Sequence, residues 1–392
     1  MSTRGPELRI ARDTLLGMPP AEFLHRYWQR KPLLVRQAFP AFESPITPDD
    51  LAGLAGEPMA ASRLVIHNAA KDAWKLRHGP FRSSDFRRLP KRDWTLLVQD
   101  CDKLLAEIDA LLLPFRFVPD WRVDDVMISY AVDGGSVGAH VDQYDVFLLQ
   151  AWGRRRWMIS EDRRAPLAVR EDVELKLLRE FTPTADYVLE PGDMLYLPPG
   201  IAHHGIAVGE CMTFSIGMRA PSAAELLLDY AEYIAERLGD ERRYADRDLA
   251  PARRPAEIGA GALRKVRHIL RESGKLKSDA FRDWYARFIT RYRAAHAPAP
   301  AGDLLDAGAL KRRVRRDGVL HRSPWSRYAW IRRGHRAATY LAGERYDCSL
   351  LLARILESGK RYDAALLRRL TAPDWRALAA MYNAGHLVFE DD

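Results

Sequence analysis

A histidine and an aspartate one residue apart, His140-Val-Asp142, constrain this chain more than any other feature when read with the later segment Gly192-Asp-Met-Leu-Tyr-Leu-Pro198-Pro-Gly200-Ile-Ala-His203. On an extended strand, residues i and i+2 point to one face, so the imidazole of His140 and the carboxylate of Asp142 can grip one ion together. A distant histidine supplies the third ligand, which requires segments far apart in sequence to meet. Two imidazoles and one carboxylate on one face of an octahedron leave three positions open, the arrangement of non-haem Fe(II) oxygenases. Catalytic zinc also takes three protein ligands plus water, and the motif alone does not separate the two metals.

His203 and His204 are adjacent and face opposite sides of a strand, so only one can join the trio. The spacing of glycine, five residues, Pro-x-Gly, two residues and histidine matches the second metal-bearing motif of cupin, or double-stranded β-helix, folds and lands on His203. An isolated histidine more often caps a turn or packs in a core. Here the H-x-D triplet joined to a correctly spaced Pro-Gly-x-x-His favours a metal site.

With 392 residues and 47% hydrophobic content, the chain is long enough for roughly two to three packed domains. It has no apolar run of bilayer length, and its opening, MSTRGPELRIARD, lacks the apolar stretch of a signal peptide, so no membrane association and a cytoplasmic location are expected. Cys101, Cys211 and Cys348 are odd in number and widely spaced, which argues against a disulfide framework or a cysteine metal site. The net charge of +8 suggests attraction to polyanions such as ribosomal RNA, although charges intermixed on a solvated surface explain it equally simply.

The segment from Ala21 to Phe39 reads as a helix ending before Pro32 and then a short strand, and Trp94 to Gln99 reads as a strand. DCDKLLAEIDALLLPF keeps helical spacing up to Pro114. Met127–Val132, Val146–Gln150, Arg156–Ile159, Tyr187–Leu189 and Met212–Ile216 read as short strands separated by turns, predicting an antiparallel barrel or jelly roll. Ser222-Ala-Ala-Glu225 has the form of a capping box opening a helical region that runs to about Tyr292. One face of that region could seal a homodimer or simply pack on its own barrel. Beyond the linker Ala295–Gly302, a helix GALKRRVRRDG, a strand Trp325–Trp330, a turn at Arg333-Gly334 and two late helices suggest a small winged-helix layout. Lys311, Arg312, Arg313, Arg315 and Arg316 offer a nucleic-acid surface, or only the wet face of one helix. The division is 1–220 catalytic, 221–294 helical and 303–392 winged-helix-like.

EFLHRYWQRKPLLV, PDWRVDDVMISYAV, HVDQYDVFLLQAWGRRRW, PGDMLYLPPGIAHHG and SIGMRAP together resemble the JmjC family of Fe(II)- and 2-oxoglutarate-dependent oxygenases, specifically the bacterial ribosomal protein arginine hydroxylases. The resemblance covers about Ala21 to Pro221 well and the remainder as element order. It implies a double-stranded β-helix catalytic domain, a helical dimerisation region and a C-terminal winged-helix domain. It also implies Fe(II), with 2-oxoglutarate and O2 as cosubstrates, and carbon-3 hydroxylation of an arginine in large-subunit ribosomal protein sixteen. The alternatives are a JmjC hydroxylase or demethylase of another protein, and a non-catalytic ribosome- or nucleic-acid-binding protein.

The family's basic cosubstrate ligand, fifteen residues after the first metal histidine, falls on Arg155, whose guanidinium can clasp a carboxylate through two parallel hydrogen bonds. Ser129 is a further cosubstrate contact, and Ala131 lacks a hydroxyl expected there. No side-chain general base is expected, since metal and cosubstrate carry the reactivity. An incoming arginine needs oxygen or aromatic partners at the barrel mouth. Asp133 at the Asp-Gly-Gly turn is the first choice, followed by Tyr130, Gln143 and Tyr144, although such an aspartate is often held by its own turn.

Overall fold

Along Val123–Ala131, Val126 and Ile128 enter the hydrophobic core while Met127, Ser129 and Ala131 take the opposite face, the period-two pattern of a strand. This strand belongs to the first of two units, Met1–Ala220 and Pro221–Asp392. The computed structural model describes residues 7–9 and 14–389, apart from 240, 242, 248, 250, 252–255, 257 and 276. The opening read as lacking a signal peptide therefore lies outside the described residues, except for the backbone of 7–9.

The first unit carries β1 (Glu7–Arg9), β2 (Leu33–Arg36), β3 (Ser62–Asn68), β4 (Ala73–His78), β5 (Trp94–Val98), β6 (Val123–Ala131), β7 (His140–Val141), β8 (Val146–Ser160), β9 (Ala185–Leu189), β10 (Met194–Leu197) and β11 (Ala202–Met218). They form one sheet in the order β1-β2-β10-β8-β11-β6-β5-β3-β4, with β7 added to β11 and β9 to β8. Only β1 and β2 pair in parallel. Val146, Leu148, Trp157 and Ile159 of β8 pack with Leu195 and Leu197 of β10, whereas Phe147, Leu149, Met194 and Tyr196 turn the other way, toward Phe23, Tyr27 and Phe115. Burial on both faces explains the unbroken apolar run Val146-Phe-Leu-Leu149.

β8 is a single long strand where the sequence suggested two short ones, and β11 extends well beyond the expected Met212–Ile216. Their ladder slips between Val208 and Cys211 and again between Met212 and Thr213. Gly153 sits at the slip with φ +61°, and a Cβ there would stand 2.1 Å from the Glu210 carbonyl oxygen. The residues after Asp100, expected to form one helix, make two, Cys101–Leu104 and Ala106–Ala110, with Leu105 extended between them. Tertiary bonds override helical spacing here: Asp102 accepts the Val126 backbone N–H at 2.8 Å, and buried Lys103 donates to Asp100 and Asp102.

In the second unit, Ser222 and Glu225 form the expected capping box at the start of Ala223–Ala235, followed by helices Ala260–Ser273 and Ser278–Arg291. Next come helix Ala307–Asp317, β12 (Val319–Arg322), β13 (Tyr328–Arg333), β14 (Arg336–Leu341), β15 (Glu344–Ser349), helix Leu350–Ser358, β16 (Arg361–Asp363), helices Ala364–Leu367 and Ala372–Asn383, and β17 (Leu387–Phe389). β16-β12-β17 and β13-β14-β15 are separate three-stranded sheets. Among the described residues no helix is long and apolar enough to cross a membrane.

Gly153→Val should cost about 2–4 kcal/mol of stability, through strain at positive φ and the clash with Glu210. Urea unfolding of wild type and variant measures it.

Candidate metal centre

β7 exists only as His140–Val141, and its ladder with β11 sets His140 directly opposite His203. Asp142 follows at once, held in place because its carbonyl accepts the Gly200 N–H at 2.8 Å; Gly200 turns with φ +82°. The Pro-Gly turn thus secures the loop it faces. Asp142 Oδ2 lies 3.6 Å from His203 Nε2 and 4.0 Å from His140 Nε2, and the two imidazole centroids are 4.2 Å apart. Two atoms each about 2.1 Å from one ion stand at most about 4.2 Å apart, a condition both pairs meet. His140 Nδ1 donates to the Gly138 carbonyl at 3.0 Å and His203 Nδ1 to the Ile201 carbonyl at 2.9 Å. With Nδ1 committed, each Nε2 lone pair faces the common point.

His203 is buried, and burial followed by the neighbouring His140 holds its pKa below the usual imidazole range, favouring the neutral form a metal requires. His204 faces away: its Nε2 lies 2.9 Å from Ser136 Oγ, and burial pushes its pKa down to about 4.

Arg155 lies on the same interior wall. Arg154 and Arg156 are exposed, and Arg156 pairs with Asp186, but Arg155 is only 2% exposed. Its Nη1 donates to Ser129 Oγ at 3.1 Å and Thr213 Oγ1 at 3.4 Å, while its buried Nε has no partner. Among the described residues no carboxylate pairs with it. Burial lowers its pKa, yet a guanidinium stays charged, and a buried unpaired ion costs several kcal/mol. The site is therefore shaped for an anion. The Trp157 ring stands 5.4 Å from the Arg155 guanidinium and 5.9 Å from the His203 ring. Gly205 lets both side chains pack against the β11 backbone, since a Cβ there would come within 2.7 Å of Trp157 and 2.9 Å of Arg155 Nε. A metal trio and a buried cation on one wall suit a dicarboxylate with one chelating end.

The sequence-predicted substrate residues separate. Asp133 is engaged at its turn, accepting the Gly209 N–H at 3.0 Å and pairing with Arg92 at 3.0 Å. Tyr130 faces the outer core beside Trp94, away from Ser129. Gln143 is exposed next to Asp142, and Tyr144 is partly exposed; desolvation of its phenol, followed by the charge of Asp142 and then of Asp125 and Asp124, pushes that group up. Asp125, which the sequence did not single out, shares strand parity with Ser129. Burial raises its carboxyl to about 7, against the pull of Lys103, and its Oδ2 accepts the Asp100 N–H at 3.1 Å. Thr213 has the strand parity of His203, but no sequence motif singles it out.

The strand order and the trio beside a buried, anion-seeking arginine define a JmjC-type metal-dependent oxygenase. Residues 110–226 match the JmjC domain model and residues 268–387 the ROXA-like winged helix. The chain is 36% identical over 379 residues to the ribosomal protein uL16 3-hydroxylase of Escherichia coli K12, covering 94% of this chain and 97% of that one. It is 38% identical over 209 residues to a probable ribosomal oxygenase of Haemophilus influenzae, covering 53% and 51%. The solved structure of YcfD, a ribosomal oxygenase from Escherichia coli, in complex with cobalt and 2-oxoglutarate matches with a TM-score of 0.81 at 36% identity, over 96% of this chain and 99% of that one. The chain belongs to the JmjC-domain ribosomal oxygenases.

Two outcomes test this geometry. His203→Ala should lose stoichiometric metal in equilibrium dialysis, while His204→Ala retains it. In the metal-free protein, a histidine with a depressed folded pKa contributes stability that is present above its unfolded pKa of about 6.5 and lost as pH falls toward about 4. The unfolding midpoint should drop over that window, and His204→Asn should make the drop shallower.

Proposed function

We propose that this chain is an Fe(II)- and 2-oxoglutarate-dependent hydroxylase of an arginine, at carbon 3, in ribosomal protein uL16, the large-subunit protein sixteen, acting in the cytoplasm as a homodimer. The observation that carries this reading is the unpaired buried Arg155 on the wall that bears His203, in a chain similar along nearly its whole length to a uL16 3-hydroxylase.

When bound, ferrous iron and 2-oxoglutarate supply the oxidising power: one O2 and one 2-oxoglutarate give succinate, carbon dioxide and one hydroxylated carbon. Cobalt(II) shares the octahedral preference of iron(II), so a relative holding cobalt and 2-oxoglutarate supports iron here. His140, Asp142 and His203 hold the metal. Arg155, steadied by Ser129 and Thr213, binds the far carboxylate, with the apolar Trp157 ring beside both it and His203. Asp125 and Tyr144 are the candidates to receive the substrate guanidinium: a half-buried carboxyl raised by desolvation gains most from a cation that bonds it through two donors. Asp133 keeps its turn.

The homodimer rests on an uncovered apolar stripe. Helix Ala260–Ser273 has no buried residue, and Leu263, Val266 and Leu270 recur on one face at 55%, 44% and 69% exposure; Leu227 and Leu228 of Ala223–Ala235 are likewise exposed. Such a stripe marks an association surface, and a second copy of the chain brings the same stripe.

Incubation with iron, 2-oxoglutarate and a uL16 peptide should add one oxygen at an arginine, read by mass spectrometry; no addition on peptide or intact uL16 sinks the substrate assignment. Asp125→Asn should raise the peptide KM by about tenfold or more, the worth of one charge-assisted bond, with the 2-oxoglutarate KM unchanged. Because the raised carboxyl is neutral below its pKa, the wild-type peptide KM should climb as pH falls below about 7, and the variant should lose that dependence. Sedimentation should give twice the 44.7 kDa chain mass, and Val266→Asp with Leu270→Asp should give the single mass.

A further inference from the structure

Helix Ala307–Asp317, the obvious basic element of the second unit, spends part of its charge internally. Lys311 lies over the Trp375 ring at 5.6 Å, and Arg313 donates to the Tyr382 hydroxyl at 2.7 Å and covers the Phe389 ring at 4.2 Å. The hairpin of β13 and β14 is different. Its two-residue turn, Gly334-His335, is flanked by Arg332, Arg333 and Arg336, and the ladder sets Arg333 directly opposite Arg336. Like charges directly opposed across a strand pair are destabilising.

Nothing acidic relieves them. Arg332 Nε donates to the Gly334 carbonyl, Arg333 Nε is buried without a partner, and no carboxylate among the described residues pairs with any of the three. The carboxylates of neighbouring β15 are occupied: Asp347 by Arg345 and Glu344 by the Tyr346 hydroxyl. Arg354 adds a further exposed cation on helix Leu350–Ser358, which packs on both hairpin strands. By strand alternation Arg333 and Arg336 share the face of Ile331 and Ala338 while Arg332 takes the face of Ala337, so the hairpin tip carries cations on both faces without counter-ions among the described residues; three within five residues suit a phosphate backbone better than scattered carboxylates.

We propose that this hairpin docks the sugar–phosphate backbone of ribosomal RNA. The choice of RNA rests on the ribosomal-protein reading above, because the substrate's own neighbours are ribosomal RNA. The enzyme would then meet uL16 near, or still carrying, RNA.

The test is fluorescence anisotropy of labelled large-subunit ribosomal RNA fragments with the full chain, from about 50 to about 200 mM salt. Substituting Arg332→Glu, Arg333→Glu and Arg336→Glu together should weaken binding at least about tenfold and reduce the log–log salt slope by about two, as three phosphate contacts are lost. Arg312→Glu with Arg315→Glu should stay within about twofold of wild type. Arg336→Glu alone faces Arg333 with an opposite charge, so its Tm at low salt should equal or exceed that of wild type, which also shows that the hairpin still folds. Unchanged affinity and slope in the triple variant overturn the proposal, as does equal binding of duplex DNA or polyglutamate, or a lowered Tm for Arg336→Glu. Hydroxylation of the uL16 peptide, run on the same preparations, should be equal in wild type and triple variant. A wild type that hydroxylates peptide but ignores RNA refutes the docking alone; one that binds RNA but leaves uL16 untouched refutes the function alone.

Discussion

The antiparallel ladder between β8 and β11 is the constraint on which the rest depends. It sets His203 opposite Ile159, Ala207 opposite Arg155 and Thr213 opposite Gln150, so a metal ligand, a buried guanidinium and the hydroxyls that steady it share one wall. His140 joins that ladder through β7 and Ser129 through β6, while Asp142 follows β7 in the loop held by the Gly200 N–H. His203 and Thr213 keep the same strand parity, whereas Arg155 and Gln150 lie an odd number of residues apart, so the slip in β8 between Trp152 and Gln150 is what brings Gln150 opposite Thr213. Gly153, at the neighbouring slip, makes the kink there sterically possible.

Charge placement follows the same logic. In water Arg155 would be one guanidinium among many, but at 2% exposure, with hydroxyls in place of a carboxylate, it is a binding energy held in reserve. The histidines complement it. Depressed pKa values keep the buried imidazoles neutral, so positive charge on the wall sits at Arg155 and at the metal point. Selectivity for a ligand carrying charge at one end and chelating atoms at the other follows from that separation.

The trio was legible in the sequence because its information is local: i, i+2 on a strand, and Pro-Gly spacing in the turn that holds Asp142. The choice of His203 over His204 needed the motif, and alternation then explains why they diverge. Arg155 was reached through family position, because parity across β8 cannot be counted without knowing the slip at Gly153. Asp133 drew attention as an acid near a turn, yet Arg92 and the Gly209 N–H account for its carboxylate. The helix after Asp100 failed for a different reason. Bonds from Asp102 and Lys103 to distant backbone and side chains outweigh helical propensity, and no local pattern announces them. In the second unit, β14 and β15 were not foreseen, and with them the opposed arginines of the hairpin.

The central claim is that one wall binds a metal and a dicarboxylate at the same time. Anaerobic titration of the Fe(II) protein with 2-oxoglutarate, followed by the visible charge-transfer absorption of an iron-chelated 2-oxo acid, tests it most directly. The account predicts saturation at one equivalent and binding of pyruvate, which lacks the distal carboxylate, at least about a hundredfold weaker, the worth of a buried charge-assisted pair. Equal affinity for pyruvate, or no absorption change at all, would contradict it.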